Sequence, residues 1–389
     1  MPVLTAEQEA FKDLKFGMFI HWSLFSLPTG QRGWRTPDDA IERFRAERFD
    51  ARSWVDLAVE GGARYITFTT KHHDGFCLFS SRHTDFTSLH SPAGRDFVAL
   101  LSDECQERGM PLFLYYSLPD LHHPSFQTGK MDDYVEYYQN QVRELCTGYG
   151  EIAGFWFDPG PWHGPDYDYR LTETEGILRR EQPKALMMGR DFYEAERTAP
   201  SLPGEMGYLD DHGEGSPRHI GPPSPDNPPF EVCETINDSW EYNEDDRNFK
   251  SPRTLIREVV SVACHGGNLL LNQGPRATGE VQDEQAEVFR SIGGWLRSYG
   301  ESIYGTRPLT LPGSRGMNLV EGNGKAYLHI LEPANPLEIT ELPYGVRSAR
   351  LLTRGDLAYK SSGRGLRIEV PEDCIDPIDT IVEMEIDTN

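Results

Sequence analysis

The sequence predicts an α/β fold: a (β/α) TIM-like barrel followed by a small C-terminal antiparallel β-sandwich. Three observations predict it. Short, nearly continuous apolar runs alternate with amphipathic helical segments along most of the 389 residues, the pattern of parallel strands buried on both faces. The alternation repeats often enough to call for a closed (β/α) barrel. After Tyr304 the pattern changes to short alternating segments, the signature of antiparallel strands. The boundary is placed near residue 307, dividing the chain into a barrel, 1–306, and a C-terminal sandwich, 307–389.

The elements follow in order. Phe16-Gly-Met-Phe-Ile-His-Trp22 reads as a strand. The segment 52–61 is an amphipathic helix with Trp54, Leu57 and Ala58 on one face, stopped by Gly61-Gly62. Tyr65–Thr70 is β-branched and aromatic, hence a strand. The segment 96–108 is helical and stops at Gly109. Strands are expected at 111–116, 152–157, 185–188 and 268–272, and helices at 131–145, 171–181 and 283–299. Ser251-Pro-Arg-Thr254 opens a further helix with a cap residue and an early proline. Seven candidate strands are counted for the barrel, six of them with placed ranges. The stretch 191–229 is rich in Pro, Gly and charge and is read as irregular, a loop long enough to build or cover a site. In the C-terminal part, strands are expected at 325–331, 349–353, 366–370 and 380–386.

Composition excludes several classes. With 38 basic and 62 acidic residues the net charge is −24, which argues against a nucleic-acid partner because phosphate recognition needs a basic surface. A composition 38% hydrophobic and 11% aromatic argues against disorder. No apolar run reaches the roughly 18–20 residues that a membrane-spanning helix needs. The six cysteines show no C-x-x-C spacing, so zinc-ribbon and thioredoxin-type motifs are excluded. The N-terminal segment Met1-Pro-Val-Leu-Thr-Ala lacks a basic start and an apolar core, and a cytoplasmic protein is expected.

In a barrel, catalytic residues cluster at the C-terminal ends of strands. The residues just past each expected strand are His21 and Trp22, Lys71-His-His-Asp74, Tyr115-Tyr-Ser117 with His122-His123, Trp156-Phe-Asp158, and Arg190. Carboxylates, histidines and aromatics dominate. Aromatic faces with polar edges suit a sugar ring, and paired carboxylates suit glycosidic cleavage. Asp158, directly after Gly-Phe-Trp-Phe, is the sharpest single candidate.

Six segments in order resemble the motifs of the α-L-fucosidases of glycoside hydrolase family twenty-nine. They are Lys15-Phe-Gly-Met-Phe-Ile-His-Trp22, Lys71-His-His-Asp-Gly-Phe76, Tyr115-Tyr-Ser117, Phe155-Trp-Phe-Asp158, Ser239-Trp-Glu-Tyr-Asn243 and Gly266-Gly-Asn-Leu-Leu-Leu-Asn-Gln-Gly-Pro275. The resemblance spans roughly residues 11–306. It implies a barrel followed by a β-sandwich, and retaining hydrolysis of terminal α-L-fucose with no metal or organic cofactor and a fucosylated glycan or glycoside as substrate. Carried over residue by residue, it implies Asp158 as nucleophile and His21, Trp34, His72, His73, Tyr116, Trp156, Arg190 and Trp240 as sugar contacts. Three departures stand out: Gly33-Trp34 where the family usually has Glu-Trp, Met188-Gly-Arg190 where it has Asn-Asp-Arg, and Pro159 where it places Gly after the nucleophile. For the acid/base, His212-Gly-Glu-Gly215 gives the closest local resemblance. Glu214 is the first choice, Glu205 the second, and Glu231 and Glu234 follow.

The expected mechanism is double displacement: Asp158 attacks the anomeric carbon and Glu214 protonates the leaving oxygen, then deprotonates water. Alternatives are a related retaining hydrolase acting on another L-sugar such as α-L-galactose, and a catalytically impaired sugar-binding barrel. A metal-dependent hydrolase using His72-His73-Asp74 and His122-His123 is disfavoured, since neighbouring residues on a strand point to opposite faces.

Overall fold

Eight parallel strands pair in chain order and close on themselves: β1 (Phe16–Ile20), β2 (Ile66–Lys71), β3 (Leu112–Ser117), β4 (Gly154–Asp158), β5 (Leu186–Arg190), β6 (Met206–Asp210), β7 (Phe230–Thr235) and β8 (Asn268–Gln273). The ring closes where β1 pairs with β8, Phe16 against Leu269 through Ile20 against Gln273. The computed structural model describes residues 4–28, 36–37, 39–160, 166–190, 206–210, 223–309, 317–332, 336–339, 341–353, 357–362 and 364–387, with the side chains of 189–190 and 206–210 outside the description. The structure adds two strands, β6 and β7, to the six placed from sequence. β6 lies inside the stretch 191–229 read as irregular, and β7 begins one residue beyond it.

Side-chain alternation sorts each strand into an outer and an inner row. Phe16, Met18 and Ile20 of β1, Leu112, Leu114 and Tyr116 of β3, and Phe155 and Phe157 of β4 join the large core between strands and helices. Phe19, Phe113, Tyr115, Trp156, Met188, Cys233 and Leu270 form a separate cluster inside the ring. Phe11, from the helix Ala6–Leu14, seals its base, edge-on to Tyr65 and Phe113. Gly17 belongs to the inner row, where a Cβ would lie 2.3 Å from the Tyr65 ring, so only glycine fits.

The helices pack on the outer row for sequence reasons. Asp50 caps the helix Ala51–Gly61 by accepting from Arg52 N–H, and Gly62 ends it in the left-handed conformation. That helix buries Trp54, Val55, Leu57 and Ala58; each large apolar side chain so buried stabilises by about 1.5–3 kcal/mol. Ser251 and Pro252 start the helix Pro252–Cys264 as the cap-and-proline pattern predicts.

Beyond the barrel, β9 (Arg307–Pro308), β10 (Asn318–Gly322), β11 (Lys325–Ile330), β12 (Leu337–Ile339), β13 (Val346–Leu351), β14 (Ala358–Ser362), β15 (Gly365–Glu369) and β16 (Thr380–Ile386) form two antiparallel sheets, ordered β13-β16-β11-β10-β9 and β12-β15-β14. Both sheets contribute to one apolar cluster, with Leu328, Val382 and Met384 from the first and Leu366 and Ile368 from the second. Val320, Tyr327 and Ile381 instead join the barrel's outer core. A buried pair, His329 Nδ1 with Asp379 Oδ2 at 2.6 Å, stands at this junction, with His329 Nε2 3.2 Å from the Ser302 carbonyl. All six cysteines are buried thiols. Among the described residues, no helix is long and apolar enough to cross a membrane.

Candidate active site

Asp158 ends β4 at the C-terminal rim of the barrel, in register with Ser117 of β3. Its carboxylate is held from two sides. Gly160 N–H donates to Oδ1 at 2.7 Å, and Tyr115 O–H donates to Oδ2 at 2.6 Å. His73 Nε2 lies 3.5 Å from Oδ2. The Asp158 side chain keeps 18% of its accessibility while His73 keeps 3%, so a fixed carboxylate is open to solvent within an otherwise buried ring of groups.

That ring comes from the ends of four neighbouring strands, β1 to β4, and the loop after β7. His72 stacks on Tyr115, with ring centroids 5.3 Å apart and planes 9° from parallel, and Tyr115 in turn stacks on Trp156 at 5.4 Å. His21 lies 5.7 Å from His72 and 5.1 Å from Trp240. His21 Nδ1 is 2.6 Å from Asn272 Oδ1, while Asn272 Nδ2 donates to the Trp240 carbonyl, so Asn272 ties β1 and β8 to the loop carrying Trp240. Burial holds the His72 imidazole well below its usual pKa, with smaller contributions from His73 and His21, leaving it neutral at pH 7.

His72 and His73 both face this site. The alternation argument used against pairing them does not apply, because β2 ends at Lys71 and its register against β3 shifts between Thr69 and Lys71. The shift sends Lys71 outward, where its amine pairs with Asp120 at 3.2 Å and lies 4.4 Å from the Tyr116 ring. Among the described residues, no group of three or more His, Cys, Asp or Glu has metal-holding geometry.

Tyr116 corrects the expectation. It is fully buried in the layer between barrel and helices, and its hydroxyl donates to Gln141 Oε1 at 2.6 Å. Its neighbour Tyr115 faces Asp158. The period-two row Phe113, Tyr115, Ser117 carried the signal that separates them. Glu231 and Glu234 are also engaged elsewhere. Glu231 is buried inside the ring, accepting from Trp156 Nε1 and from Tyr65 O–H, both at 2.7 Å; burial pushes its carboxyl up to about 7 against those two donors. Glu234 pairs with Lys250 at 2.9 Å. Trp34, Glu205 and Glu214 lie outside the described residues, as does the Arg190 side chain, although Arg190 itself ends β5.

A closed parallel barrel bearing a fixed, solvent-open carboxylate at one strand end, ringed by imidazole and indole, defines a barrel enzyme of the glycoside hydrolase class. The family comparison agrees: the model described as alpha-L-fucosidase matches residues 4–301. The chain is 30% identical to the plasma alpha-L-fucosidase of Rattus norvegicus, over 76% of this chain and 70% of the relative. It is 27% identical to the tissue alpha-L-fucosidase of Bos taurus, over 93% of this chain and 84% of the relative. Alpha-L-fucosidase isoenzyme 1 from Paenibacillus thiaminolyticus superposes with a TM-score of 0.83 at 28% identity, covering 98% of this chain and 99% of that one. The chain belongs to the α-L-fucosidase family.

Proposed function

We propose that this protein releases terminal α-L-fucose from glycans or fucosides with retention of configuration, and that Asp158 is the nucleophile. The observation that carries this is the Asp158 carboxylate itself: two donors aim it, while it stays open to the side where a sugar would enter. A nucleophile held in one orientation need not reorganise before attack. In the first step an Asp158 oxygen bonds to the anomeric carbon as the glycosidic bond breaks. In the second, water displaces the carboxylate.

The acid/base is assigned to Glu214, with Glu205 as second choice, on the local resemblance around His212-Gly-Glu-Gly215. Retention calls for the two carboxyl groups to approach within about 5–5.5 Å. His21, His72, His73 and Trp240 are assigned to the sugar with Trp34 and Arg190, and Tyr115 takes the place expected of Tyr116. Trp156, packed between Tyr115 and Glu231, forms the pocket's floor. The division at residue 307, a TIM-type barrel with a two-sheet sandwich behind it, is supported by β9 opening the five-stranded sheet at Arg307.

The direct test is Asp158→Gly. Turnover of an aryl α-L-fucoside should fall by at least ~10³-fold, and azide should restore activity and yield β-fucosyl azide. Unchanged turnover in this variant sinks the assignment.

A further inference from the structure

His73 is under a hydrogen-bond constraint that starts outside the reacting groups. Its Nδ1 lies 2.6 Å from Ser117 Oγ, and the same oxygen lies 2.6 Å from the Pro119 carbonyl. A carbonyl only accepts, and a hydroxyl has one proton to give. Ser117 therefore donates to Pro119, and its remaining capacity toward His73 is as an acceptor. Nδ1 of His73 must carry a proton. In the neutral ring, Nε2 is then left with its lone pair, and Nε2 is the atom facing Asp158 Oδ2 at 3.5 Å.

Surrounding bonds make this arrangement rigid. Ser117 is fully buried. Leu118 N–H donates to the Asp158 carbonyl and Leu121 N–H donates to the His73 carbonyl, each at 2.8 Å. One short turn after β3 thus braces the backbone of both residues, and Ser117 at the end of β3 sets the imidazole. Asp158 from β4 and His72 from its own segment face His73 among the described residues. A sugar hydroxyl entering beside Asp158 donates to the Nε2 lone pair.

We propose that Ser117 is a positioning residue that fixes the tautomer of His73, so that Nε2 accepts from a hydroxyl of the sugar held against Asp158. The proposal rests on Asp158 being the nucleophile. It adds a residue that touches neither sugar nor carboxylate side chain and still decides which hydrogen bond His73 makes.

The test reads the ring directly. Histidine-selective ¹⁵N labelling and long-range ¹H–¹⁵N correlation of the free enzyme, at a pH where the ring is neutral, should show His73 protonated on Nδ1 and bare on Nε2. Ser117→Ala should move proton density to Nε2 and lower kcat/KM on an aryl α-L-fucoside by roughly 10- to 100-fold, the range for losing an outer partner of a functional histidine. Ser117→Thr keeps the hydroxyl and should restore both readouts. A wild-type ring protonated on Nε2 overturns the proposal, as does a folded Ser117→Ala enzyme with an unaltered His73 ring. Should that variant not fold, Ser117→Cys, whose thiol is a weaker acceptor, is read in the same way, and the wild-type spectrum decides the tautomer by itself. Because the spectrum is taken without substrate, it is independent of the nucleophile assignment, whose failure would appear in Asp158→Gly.

Discussion

The two adjacent tyrosines of β3 give a sharp test of the site's register. Tyr115 and Tyr116 are each truncated to Phe, removing one oxygen and nothing else. Tyr115 donates at 2.6 Å to Oδ2 of Asp158, a charged acceptor in the proposed reaction. A hydrogen bond to a charged group is worth about 1.5–3 kcal/mol. At 1.4 kcal/mol per tenfold, Tyr115→Phe should lower kcat/KM by roughly 10- to 150-fold. Its stability should change little, because Asp158 remains partly open to water. Tyr116 has the opposite profile. Its hydroxyl donates to Gln141 Oε1 in a fully buried layer, so Tyr116→Phe leaves a buried acceptor unpaired, a loss of about 1–3 kcal/mol. The Lys71 amine over its ring survives the change, since Phe keeps the ring face. Steady-state kinetics on an aryl α-L-fucoside and urea unfolding, run on the same preparations, separate the two effects. If Tyr116→Phe loses activity at full stability while Tyr115→Phe remains fully active, the inner-row assignment is refuted.

Two further outcomes follow from buried ionisable groups. Lys15 is fully buried, its amine has no hydrogen-bond partner among the described residues, and burial lowers its pKa to about 7. Between pH 7 and 10.5 the unfolded chain holds a proton that the folded one does not, so stability should rise with pH across that window, by at most about 5 kcal/mol. Lys15→Met should remove this slope and stabilise the protein at pH 7 in urea unfolding; an unchanged slope contradicts the account. Glu231, pushed up to about 7 by burial, acts in the other direction. From pH 4.5 to 7 the folded chain holds the extra proton, so stability should fall as pH rises, by up to about 3 kcal/mol. Glu231→Gln can still accept from Trp156 and offer its amide to Tyr65, so it should flatten that limb. Equal slopes in mutant and wild type between pH 5 and 7 would falsify it.

Periodicity made most of the barrel legible, and the places where it failed share a cause. Apolar strands such as β1, β3 and β8 announce themselves because every residue of each is buried. β6, Met206-Gly-Tyr-Leu-Asp210, is short, and Gly and Asp are depleted in strands. β7, Phe230-Glu-Val-Cys-Glu-Thr235, carries two glutamates and so looks half-exposed, yet all six residues are buried. Its burial depends on Tyr65 and Trp156 for Glu231 and on Lys250 for Glu234, partners far off or unmarked in sequence. The candidate site divided in the same way. Asp158 and the three histidines follow from strand-end position. Tyr115, one register step from the residue expected, is the tyrosine that contacts Asp158, and the alternation that separates the two is visible in the sequence. Ser117 needed the fold, because its role depends on a carbonyl two residues away in a turn and on a histidine from another strand.

Glu231 also explains how the barrel presents its aromatic floor. An indole buried inside the ring needs an acceptor for its N–H, and the backbone carbonyls of the strands are already used in the ladder. A buried carboxylate is an expensive acceptor unless both oxygens are satisfied. Here Trp156 satisfies one and Tyr65 the other. The pair Glu231–Trp156 therefore locks the indole plane from below, the indole supports Tyr115 by stacking, and Tyr115 aims the Asp158 carboxylate. Each member is held by a group deeper in the barrel than itself. The carboxylate at the rim thus inherits the rigidity of the packed interior rather than the mobility of a loop, which is the preorganisation that the proposed attack on an anomeric carbon requires.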